Sequence, residues 1–492
     1  MSEKLVVLQE NPVFSIFQKI TEIPHQSEHE QKLAAWIIDF AKEHQWPYEQ
    51  DSIGNLIVRV PATQGLEKAK PVCFQAHLDM VCVDAQGSVY GEGKFPLKLK
   101  IEDDWLSADG TTLGGDNGIG IALALAAASH LTHGPLELLF TVQEENGIIG
   151  ASRIELAIKS KKMINLDSED WKTVFIGCAG GCRCDIETDL SFQKLIPDDL
   201  TSWKITVAGL QGGHSGVEIH KNRGNAIIIM ARIINELSVK FKLNLGSLNG
   251  GSKDNVIPSS SESILVTDAE ETIFSADFGD IATSLINEFS SAEPGLRIKL
   301  ARANSPSKII SISDTEQIIQ LILALPNGVQ SMSSLLPGLV QTSCNIGIVN
   351  TDMYSGKISI ALMPRSSSAA DLKLIKEKMA DVCNQFLKDS SGFKPKLIFR
   401  NEYPGWQPNQ DSELLKTTKS VWSDNFSDNL EITSIHAGLE CGILINKFPG
   451  LDAISLGPDI KGAHSAMEKV SISSVNLCYS FLSKLLNELA KE

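Results

Sequence analysis

The sequence contains 492 residues, too many for a single hydrophobic core, and therefore predicts two domains or three subdomains. Its 42% hydrophobic and 21% charged residues are typical of a globular protein and exclude a largely disordered chain. The formal net charge of −16 argues against nucleic acid or an anionic membrane as the main partner, because no basic field would attract phosphate groups.

The N-terminal sequence and the cysteine content predict a cytoplasmic location. The segment MSEKLVVLQENP has no basic region followed by a long apolar core, so we expect no signal peptide. The longest apolar runs, such as IGIALALAAAS, are too short to span a bilayer. Nine scattered cysteines, an odd number, fit reduced thiols in a cytosol.

In chain order, the first part of the sequence alternates between predicted helices and strands. Two helices are predicted first, in NPVFSIFQKITEI and QKLAAWIIDFAKEH. The apolar helix IGIALALAAASHL then lies among the predicted strands NLIVRV, VCFQAH, LELLFTV and KMINL. This alternation predicts an α/β domain with a largely parallel mixed sheet flanked by helices.

The character of the sequence changes after GCAGGCRCDIETDL. A segment with its own strands and helices begins at TSWKITVAGL and continues to about residue 399. The turn-rich YPGWQP then leads to the helix SELLKTTKSVW, the strand DAISLGP and a C-terminal helix. We therefore predict a catalytic domain in two parts, residues 1–187 and 400–492, interrupted by an inserted α+β lid domain at 188–399.

Polar residues at the ends of the predicted strands form a candidate site. They follow apolar strands or begin the apolar helix: His77, Asp79, Glu144, Glu145, Asp167, His464 and Asp116. In open α/β sheets, ligands bind outside the carboxyl ends of the strands. Each residue alone has a commoner structural interpretation, such as a hydrogen-bonded histidine or an aspartate in a turn. Together, two histidines and several carboxylates suit a divalent metal such as zinc, manganese or cobalt.

Several longer motifs carry a resemblance to a known family. HLDMV, GTTLGGDNGIG, EENG, NLDSE, GGHSG, HAGLECG and GAHS occur in this order, together with NRGNA and YPGWQP. They resemble the bacterial aminoacyl-histidine dipeptidases, a branch of the di-zinc metallopeptidases that include glutamate carboxypeptidase and aminoacylase. The resemblance extends over the whole chain. It also implies a cis peptide bond between Asp116 and Asn117.

The resemblance implies a centre of two divalent metal ions. Asp116 would bridge the ions, which are expected to be zinc, with manganese or cobalt as alternatives. His77 and Asp167 would complete one site, and Glu145 and His464 would complete the other.

The adjacent glutamates are expected to have different roles. Neighbouring side chains on a strand point to opposite faces, so one can bind a metal while the other faces the substrate. By resemblance, Glu145 is the ligand and Glu144 is the general base. Glu144 would take the proton of a water shared by the metals, and the resulting hydroxide would attack the peptide carbonyl. Asp79 would hold the imidazole of His77 in place.

The resemblance also implies substrate-binding residues. His214 in GGHSG would stabilise the oxyanion, while Asn255 and Arg365 would hold the carboxylate of the substrate. The planar guanidinium of arginine matches a carboxylate in shape. His436 and Gly438 in HAGLECG would line the same pocket from the catalytic domain. Without the resemblance, a surface ion pair for Arg365 and a turn for Asn255 would be the favoured interpretations, and neither residue would be selected.

The expected function is hydrolysis of unblocked dipeptides, Xaa-His and others, with small peptides as the only predicted partners besides a second copy in a homodimer. A related deacylase, carboxypeptidase or tripeptidase is the nearest alternative. A non-catalytic metal-binding protein would have no need of Glu144, and a phosphoesterase is disfavoured because no G-x-x-x-x-G-K-[ST] loop is present. The resemblance also implies that the lid is about twice the size of the lid through which shorter relatives pair, so that it would imitate a dimer within one chain.

Overall fold

The computed structural model describes residues 8, 10–194, 200–387 and 392–492. The chain forms two compact units. The first unit comprises the chain up to Cys178 together with Trp406–Ser434 and Leu439–Glu492. The second unit comprises Ala179–Gly405 and Ile435–Gly438.

The strands and helices are numbered in chain order. The strands are β1 (Tyr48–Gln50), β2 (Leu56–Val60), β3 (Val72–His77), β4 (Leu99–Glu102), β5 (Trp105–Ala108), β6 (Leu136–Thr141), β7 (Lys162–Asn165), β8 (Thr173–Cys178), β9 (Gly180–Asp189), β10 (Phe192–Lys194), β11 (Thr201–Ala208), β12 (Asn244–Gly250), β13 (Ser261–Thr267), β14 (Arg297–Arg302), β15 (Lys308–Ile310), β16 (Gly328–Met332), β17 (Val340–Asp352), β18 (Lys357–Ser366), β19 (Lys396–Tyr403), β20 (Glu431–Ile435), β21 (Asp452–Ser455), β22 (Ile460–Lys461) and β23 (Lys469–Ser471). The helices are α1 (Pro12–Ile20), α2 (Gln31–Glu43), α3 (Gly115–His130), α4 (Ile149–Ser152), α5 (Ala226–Ser238), α6 (Glu271–Phe289), α7 (Ile312–Ala324), α8 (Ala369–Phe386), α9 (Glu413–Asn425), α10 (Glu440–Lys447) and α11 (Ile472–Leu489).

The first unit is built on a mixed sheet with the strand order β1-β2-β6-β3-β7-β21-β8-β20. Its centre is parallel, since β3 pairs in parallel with β6 and β7, and β7 with β21. Both β3 and β6 are buried along their whole length, as expected for strands covered on both faces. The apolar helix α3 packs on β3 and β6, and α1 and α11 pack on α3. The predicted α/β class is therefore confirmed.

The second unit is an antiparallel sheet with the strand order β14-β11-β13-β12-β17-β18-β9-β19, and β16 pairs with β17. It consists of two halves of the same topology. In chain order the first half is β11, α5, β12, β13, α6 and β14, and the second is β9, α7, β17, β18, α8 and β19. The halves join where β12 pairs antiparallel with β17, at Asn249 with Asn350 and Gly250 with Val349. Two copies of one β-α-β-β-α-β arrangement thus share one sheet within one chain.

The unit boundaries differ from those that the sequence predicts. The predicted boundary at 187/188 falls within β9, which pairs with β18 and β19 along its length. The predicted boundary at 399/400 falls within β19. The structure places these changes of unit after Cys178, the last residue of β8, and after Gly405, beyond the end of β19.

The helices and the cysteines of the described chain have two further properties. No helix in the described part of the chain is both long and apolar enough to span a membrane. All nine cysteines lie among the described residues, and each is buried and free of disulfide bonds.

Candidate metal centre

The carboxyl ends of three neighbouring parallel strands carry predicted ligands. His77 is the last residue of β3, Asp167 lies just beyond β7, and the Glu144–Glu145 pair follows β6. Because β3 is hydrogen-bonded to both β6 and β7 in parallel, these strand ends meet at one edge of the sheet.

The other two predicted ligands come from loops. Asp116 lies in the first turn of α3, where the backbone at Asp116 and Asn117 is not helical. The peptide bond between these residues is cis, as predicted. His464 lies in the turn between β22 and β23, where its φ of 62° is in the left-handed region. Within this turn Ser465 Oγ donates a 2.6 Å hydrogen bond to the carbonyl of Gly462.

One group of candidate ligands consists of His77, Asp116 and Asp167. His77 Nε2 lies 3.0 Å from Asp116 Oδ1 and 3.3 Å from Asp167 Oδ1. One ligand atom from each residue lies within 4.8 Å of the others. His77 is buried, so these groups face one another with little access for bulk water.

A second group consists of Asp116, Glu145 and His464. His464 Nε2 lies 3.2 Å from Asp116 Oδ2 and 2.9 Å from Glu145 Oε1. Asp116 therefore presents one carboxylate oxygen to each histidine. The two groups match the pairs that the sequence analysis expects around two bridged ions; their roles remain predictions.

The chemistry of this cluster fits divalent cations. Glu145 Oε1 is buried and forms no hydrogen bond of acceptable geometry, although His464 lies beside it. Burial raises the pKa of Glu145, and the Asp116 charge adds to this effect. The adjacent carboxylates of Asp116 and Glu145 stabilise the protonated imidazole and raise the pKa of His464 to about 11. The carboxylates thus need positive charge, which bound metal ions would supply.

Glu144 is placed differently from its neighbour. One oxygen of its carboxylate lies within 4.8 Å of ligand atoms of His77 and Glu145, so these three residues form a third possible group. Glu144 belongs to neither of the two groups that share Asp116. Burial raises the pKa of Glu144 well above its usual range; His77 opposes the shift, and the charges of Asp167, Glu440 and Glu145 add to it. A half-buried carboxylate of raised proton affinity beside the candidate ligands suits a general base.

Asp79 holds the backbone of the glutamate pair. Its Oδ1 accepts a 2.9 Å hydrogen bond from the Glu144 amide, and its Oδ2 accepts one of 3.1 Å from the Glu145 amide. Ser27 Oγ also donates to Oδ2, at 2.8 Å. His77 Nδ1 lies 2.9 Å from the Asp79 carbonyl oxygen and 3.4 Å from its carboxylate. The nearer partner of the His77 imidazole is thus the main-chain carbonyl of Asp79. The Asp79 carboxylate instead binds the backbone of the loop that carries Glu144.

The rest of that loop is held in the same way. Asn55 Oδ1 accepts from the Val142 amide at 3.1 Å, and Glu30 Oε1 accepts from the Gln143 amide at 3.0 Å. Both side chains are buried. Side-chain oxygens thus bind four consecutive amides from Val142 onward, which limits movement of the base and of its neighbour.

His214 lies in the second unit with one ring nitrogen already engaged. The Gly216 and Val217 amides donate to His214 Nδ1 at 3.2 and 3.0 Å. Burial, aided by the charge of Arg365, lowers the pKa of His214 to about 4. The ring is therefore neutral at physiological pH with its proton on Nε2, the tautomer that can donate to an oxyanion.

Arg365 is a buried cation on β18. Its Nη1 donates to Tyr403 Oη at 2.8 Å, while its Nε has no hydrogen-bond partner. Within the described residues, no carboxylate forms a salt bridge with this guanidinium. A buried guanidinium without a counterion is a site for an anion.

Asn255 lies in a segment that is fixed to β17. Asn345 Nδ2 donates to the carbonyls of Asp254 and Val256, at 3.0 and 2.8 Å. The Asn255 carbonyl accepts from the Ser215 amide at 2.9 Å. The segment that carries Asn255 is thus bound to the one that carries His214.

His436 and Gly438 belong to the second unit, which corrects their predicted placement in the catalytic domain. The Ala179 amide lies within hydrogen-bond distance of the Ile435 and Ala437 carbonyls, 3.0 Å from each. His436 Nε2 lies 2.8 Å from Ser343 Oγ on β17. These bonds connect His436 and its neighbours to residues of the second unit.

The His214 segment also contacts His436. A Cβ atom on Gly216 would lie 2.2 Å from the His436 carbonyl oxygen, so only glycine fits there. Burial, together with the charge of Arg365, lowers the pKa of His436 to about 3, and its Nδ1 has no partner. His214 comes from the first half of the second unit, and Arg365 from the second half. One chain therefore supplies both.

Sequence reasoning missed a buried polar layer behind the ligands. Glu440 Oε2 accepts from Gln75 Nε2 at 2.5 Å and from Thr141 Oγ1 at 2.7 Å. Asn165 Nδ2 donates to Gln75 Oε1 at 2.5 Å. Gln75 precedes His77 by two residues on β3, so their side chains share a face, and Asn165, the last residue of β7, precedes Asp167 by two. That spacing is the signal by which they could have been found.

Comparisons with known proteins show which family, sequences and structures this chain is similar to. Residues 73–488 match the model of peptidase family M20/M25/M40. The chain is 36% identical over 503 aligned residues to the cytosol non-specific dipeptidase of Escherichia coli, covering 99% of both chains. It is similar to the crystal structure of aminoacylhistidine dipeptidase from Vibrio alginolyticus, with a TM-score of 0.87, 33% identity, and 99% and 98% of the two chains covered. Aminopeptidase PepT from Bacillus cereus shares the fold at 14% identity, with a TM-score of 0.57 and 98% and 99% of the two chains covered.

Proposed function

Because the chain belongs to peptidase family M20/M25/M40, we propose that it is a metal-dependent dipeptidase that hydrolyses unblocked dipeptides, Xaa-His among them. The observation that carries the proposal is the shared Asp116, whose two oxygens face two histidines in two separate ligand groups. Full-length similarity to two dipeptidases favours dipeptides over other amide substrates.

The proposed cofactor is a pair of zinc ions. His77 and Asp167 would hold one ion, and Glu145 and His464 would hold the other. Asp116 would contact both ions. Mixed histidine and carboxylate ligands are typical of catalytic zinc. When bound, the ions would supply a polarised water as nucleophile and a Lewis acid for the peptide carbonyl.

The protein's own groups then handle the proton and the charge. Glu144 accepts a proton from the attacking water and passes it to the leaving amine. His214 donates from Nε2 to the carbonyl oxygen as negative charge develops there. Arg365 and Asn255 bind the free carboxylate of the leaving residue, with His436 and Gly438 beside them.

The proposal is tested by a substrate panel. Purified protein loaded with Zn²⁺ is given Gly-His, β-Ala-His, an N-acetyl amino acid, a tripeptide and p-nitrophenyl phosphate. We expect the highest kcat/KM for the two dipeptides. Faster cleavage of the N-acetyl amino acid would replace the proposal with a deacylase, and faster cleavage of the tripeptide with a tripeptidase.

Replacing Arg365 with alanine should remove selectivity for a free C-terminal carboxylate. Losing a charge-assisted hydrogen bond costs about 1.5–3 kcal/mol, which is roughly one to two decades in kcat/KM. The wild-type protein should therefore prefer Gly-His to its C-terminal amide by about that factor, and Arg365→Ala should abolish the preference. The measurement is kcat/KM for both substrates.

Arg400 provides the matched control. It lies on β19, two strands from Arg365 in the same sheet, and its guanidinium pairs with Asp185. Arg400→Ala should keep the preference for the acid. If Arg365→Ala slowed both substrates equally, the residue would be structural.

Metal binding should stabilise the folded protein. A ligand that binds only the native state at 100 times its Kd adds about 2.7 kcal/mol to the free energy of unfolding. We therefore expect a chelator to lower Tm and added Zn²⁺ to restore it, with saturation at two ions per chain. A Tm that changes neither with the chelator nor with added Zn²⁺ would contradict the proposed metal centre.

The remaining elements of the proposal concern assembly and location. We expect a cytoplasmic protein, supported by the name of the E. coli relative and by the buried free thiols. We also expect a homodimer, for which the support is the family resemblance. Sedimentation of the intact protein tests this, and a monomer at all concentrations would reject it.

A further inference from the structure

Glu468 is a buried carboxylate, 2% exposed, that binds the loop carrying the candidate bridging ligand. Its Oε2 accepts hydrogen bonds from the Leu113 and Gly114 amides, at 2.8 and 3.0 Å. Its Oε1 accepts from the Gly115 and Asp116 amides, at 2.7 and 3.1 Å. Four consecutive backbone donors therefore point at one side chain.

These amides lie at the start of α3, where a helix has donors without partners of its own. A side chain at the N-cap normally satisfies some of them. Here the N-cap is Gly114, with a φ of 70°, and it has no side chain to do so. A carboxylate from a distant part of the chain takes that place, and its charge complements the helix dipole.

Glu468 also belongs to the turn that carries His464. Its own amide donates to the Ser465 carbonyl at 3.0 Å, which closes the turn. The same short segment thus presents His464 to one oxygen of Asp116 and binds the backbone amide of Asp116. The separation between these two candidate ligands depends on the bonds of Glu468.

We propose that Glu468 is the positioning residue that holds Asp116 between the two metal sites and so sets the affinity of both. The proposal rests on the metal centre proposed above. Because Asp116 is shared, a shift of its loop should weaken both sites together. Residues that orient metal ligands typically change metal affinity by roughly 10- to 100-fold when replaced.

The test replaces Glu468 with glutamine, which preserves size. The amide keeps one acceptor oxygen but places an NH₂ group against two of the four donors. Apo-protein is titrated with Zn²⁺ in competition with a chromophoric chelator. We expect Glu468→Gln to bind both ions roughly 10- to 100-fold more weakly than the wild type. Activity should return towards the wild-type value at high Zn²⁺.

Glu137 is the matched control. It is also buried, at 3% exposed, and its Oε2 accepts from the Lys159 and Ser160 amides at 2.9 and 2.8 Å. It lies near the amino end of β6, whereas the candidate ligands follow carboxyl ends. Glu137→Gln should lower the urea midpoint of the apo-protein but leave Zn²⁺ affinity unchanged.

The outcomes separate the proposals. Wild-type Zn²⁺ affinity in Glu468→Gln would overturn the positioning role, as would an equal loss in Glu137→Gln. A Glu468→Gln protein that fails to fold, while Glu137→Gln folds, would make Glu468 a folding residue instead. If the wild type bound no Zn²⁺, the metal centre itself would fail and this inference with it.

Discussion

Replacing Glu144 with alanine should lower kcat by more than the ~10²–10⁴ typical of a lost general base, while the protein keeps most of its metal. The excess is expected because Glu144 also positions the attacking water. Glu145→Ala should instead lose metal, and activity with it, since Glu145 is a candidate ligand next to His464. Metal content by elemental analysis, measured beside kcat, separates the two variants.

The different results expected for Glu144→Ala and Glu145→Ala require that the loop after β6 keeps its path in both variants. Asp79, Glu30 and Asn55 bind backbone amides of this loop, so removing the Glu144 side chain should leave its path unchanged. Equal metal loss in both variants would show that the two glutamates share one role. A Glu144 variant with normal kcat would exclude it as the base.

Replacing His214 with alanine should lower kcat by about 10²–10³, the usual effect of losing one oxyanion donor. Two backbone amides donate to His214 Nδ1, so the proton of the neutral ring is on Nε2, from which it can be donated to the oxyanion. A group that donates only as charge develops contributes to kcat rather than to substrate binding. We therefore expect KM to change little.

The pH dependence of His214 provides a second check. Its pKa is lowered to about 4, so the neutral donor form persists above that value. The ratio of wild-type to His214→Ala activity should therefore stay constant from about pH 6 to 9. His220 lies exposed nearby, and His220→Ala should keep wild-type kcat. A ratio that varied through pH 6.5 would mean that His214 acts in its charged form.

The candidate ligands could be found from sequence because each follows a recognisable strand or begins a recognisable helix. His77, Asp167 and Glu145 come directly after apolar runs whose strands are buried as expected. The class of fold followed from the same alternation. Only the family resemblance predicts that Asn255 and Arg365 bind substrate. An asparagine in a loop and an arginine on a strand have no local sequence pattern that indicates such a role.

Other features have no local signal in the sequence, or have one only in the alternation of apolar and polar residues. Glu468 acts on backbone amides more than 350 positions away along the chain, and amides carry no sequence information. The start of the second unit, by contrast, was visible: β9 alternates buried Cys182, Cys184 and Ile186 with more exposed Arg183 and Asp185. That period of two predicts a half-buried strand across the boundary expected at 187/188, so the second unit begins before it.

The doubled topology of the second unit affects how the protein should respond to dilution and to mutation of either half. His214 and Arg365 come from opposite halves of one continuous sheet, so their association is unimolecular and does not weaken as protein concentration falls. In a symmetric pair of identical subunits, each copy must encode both residues. Here each half needs only one, and the equivalent position in the other half is free to change. Mutations in the two halves are therefore expected to have unequal effects on catalysis despite their common topology.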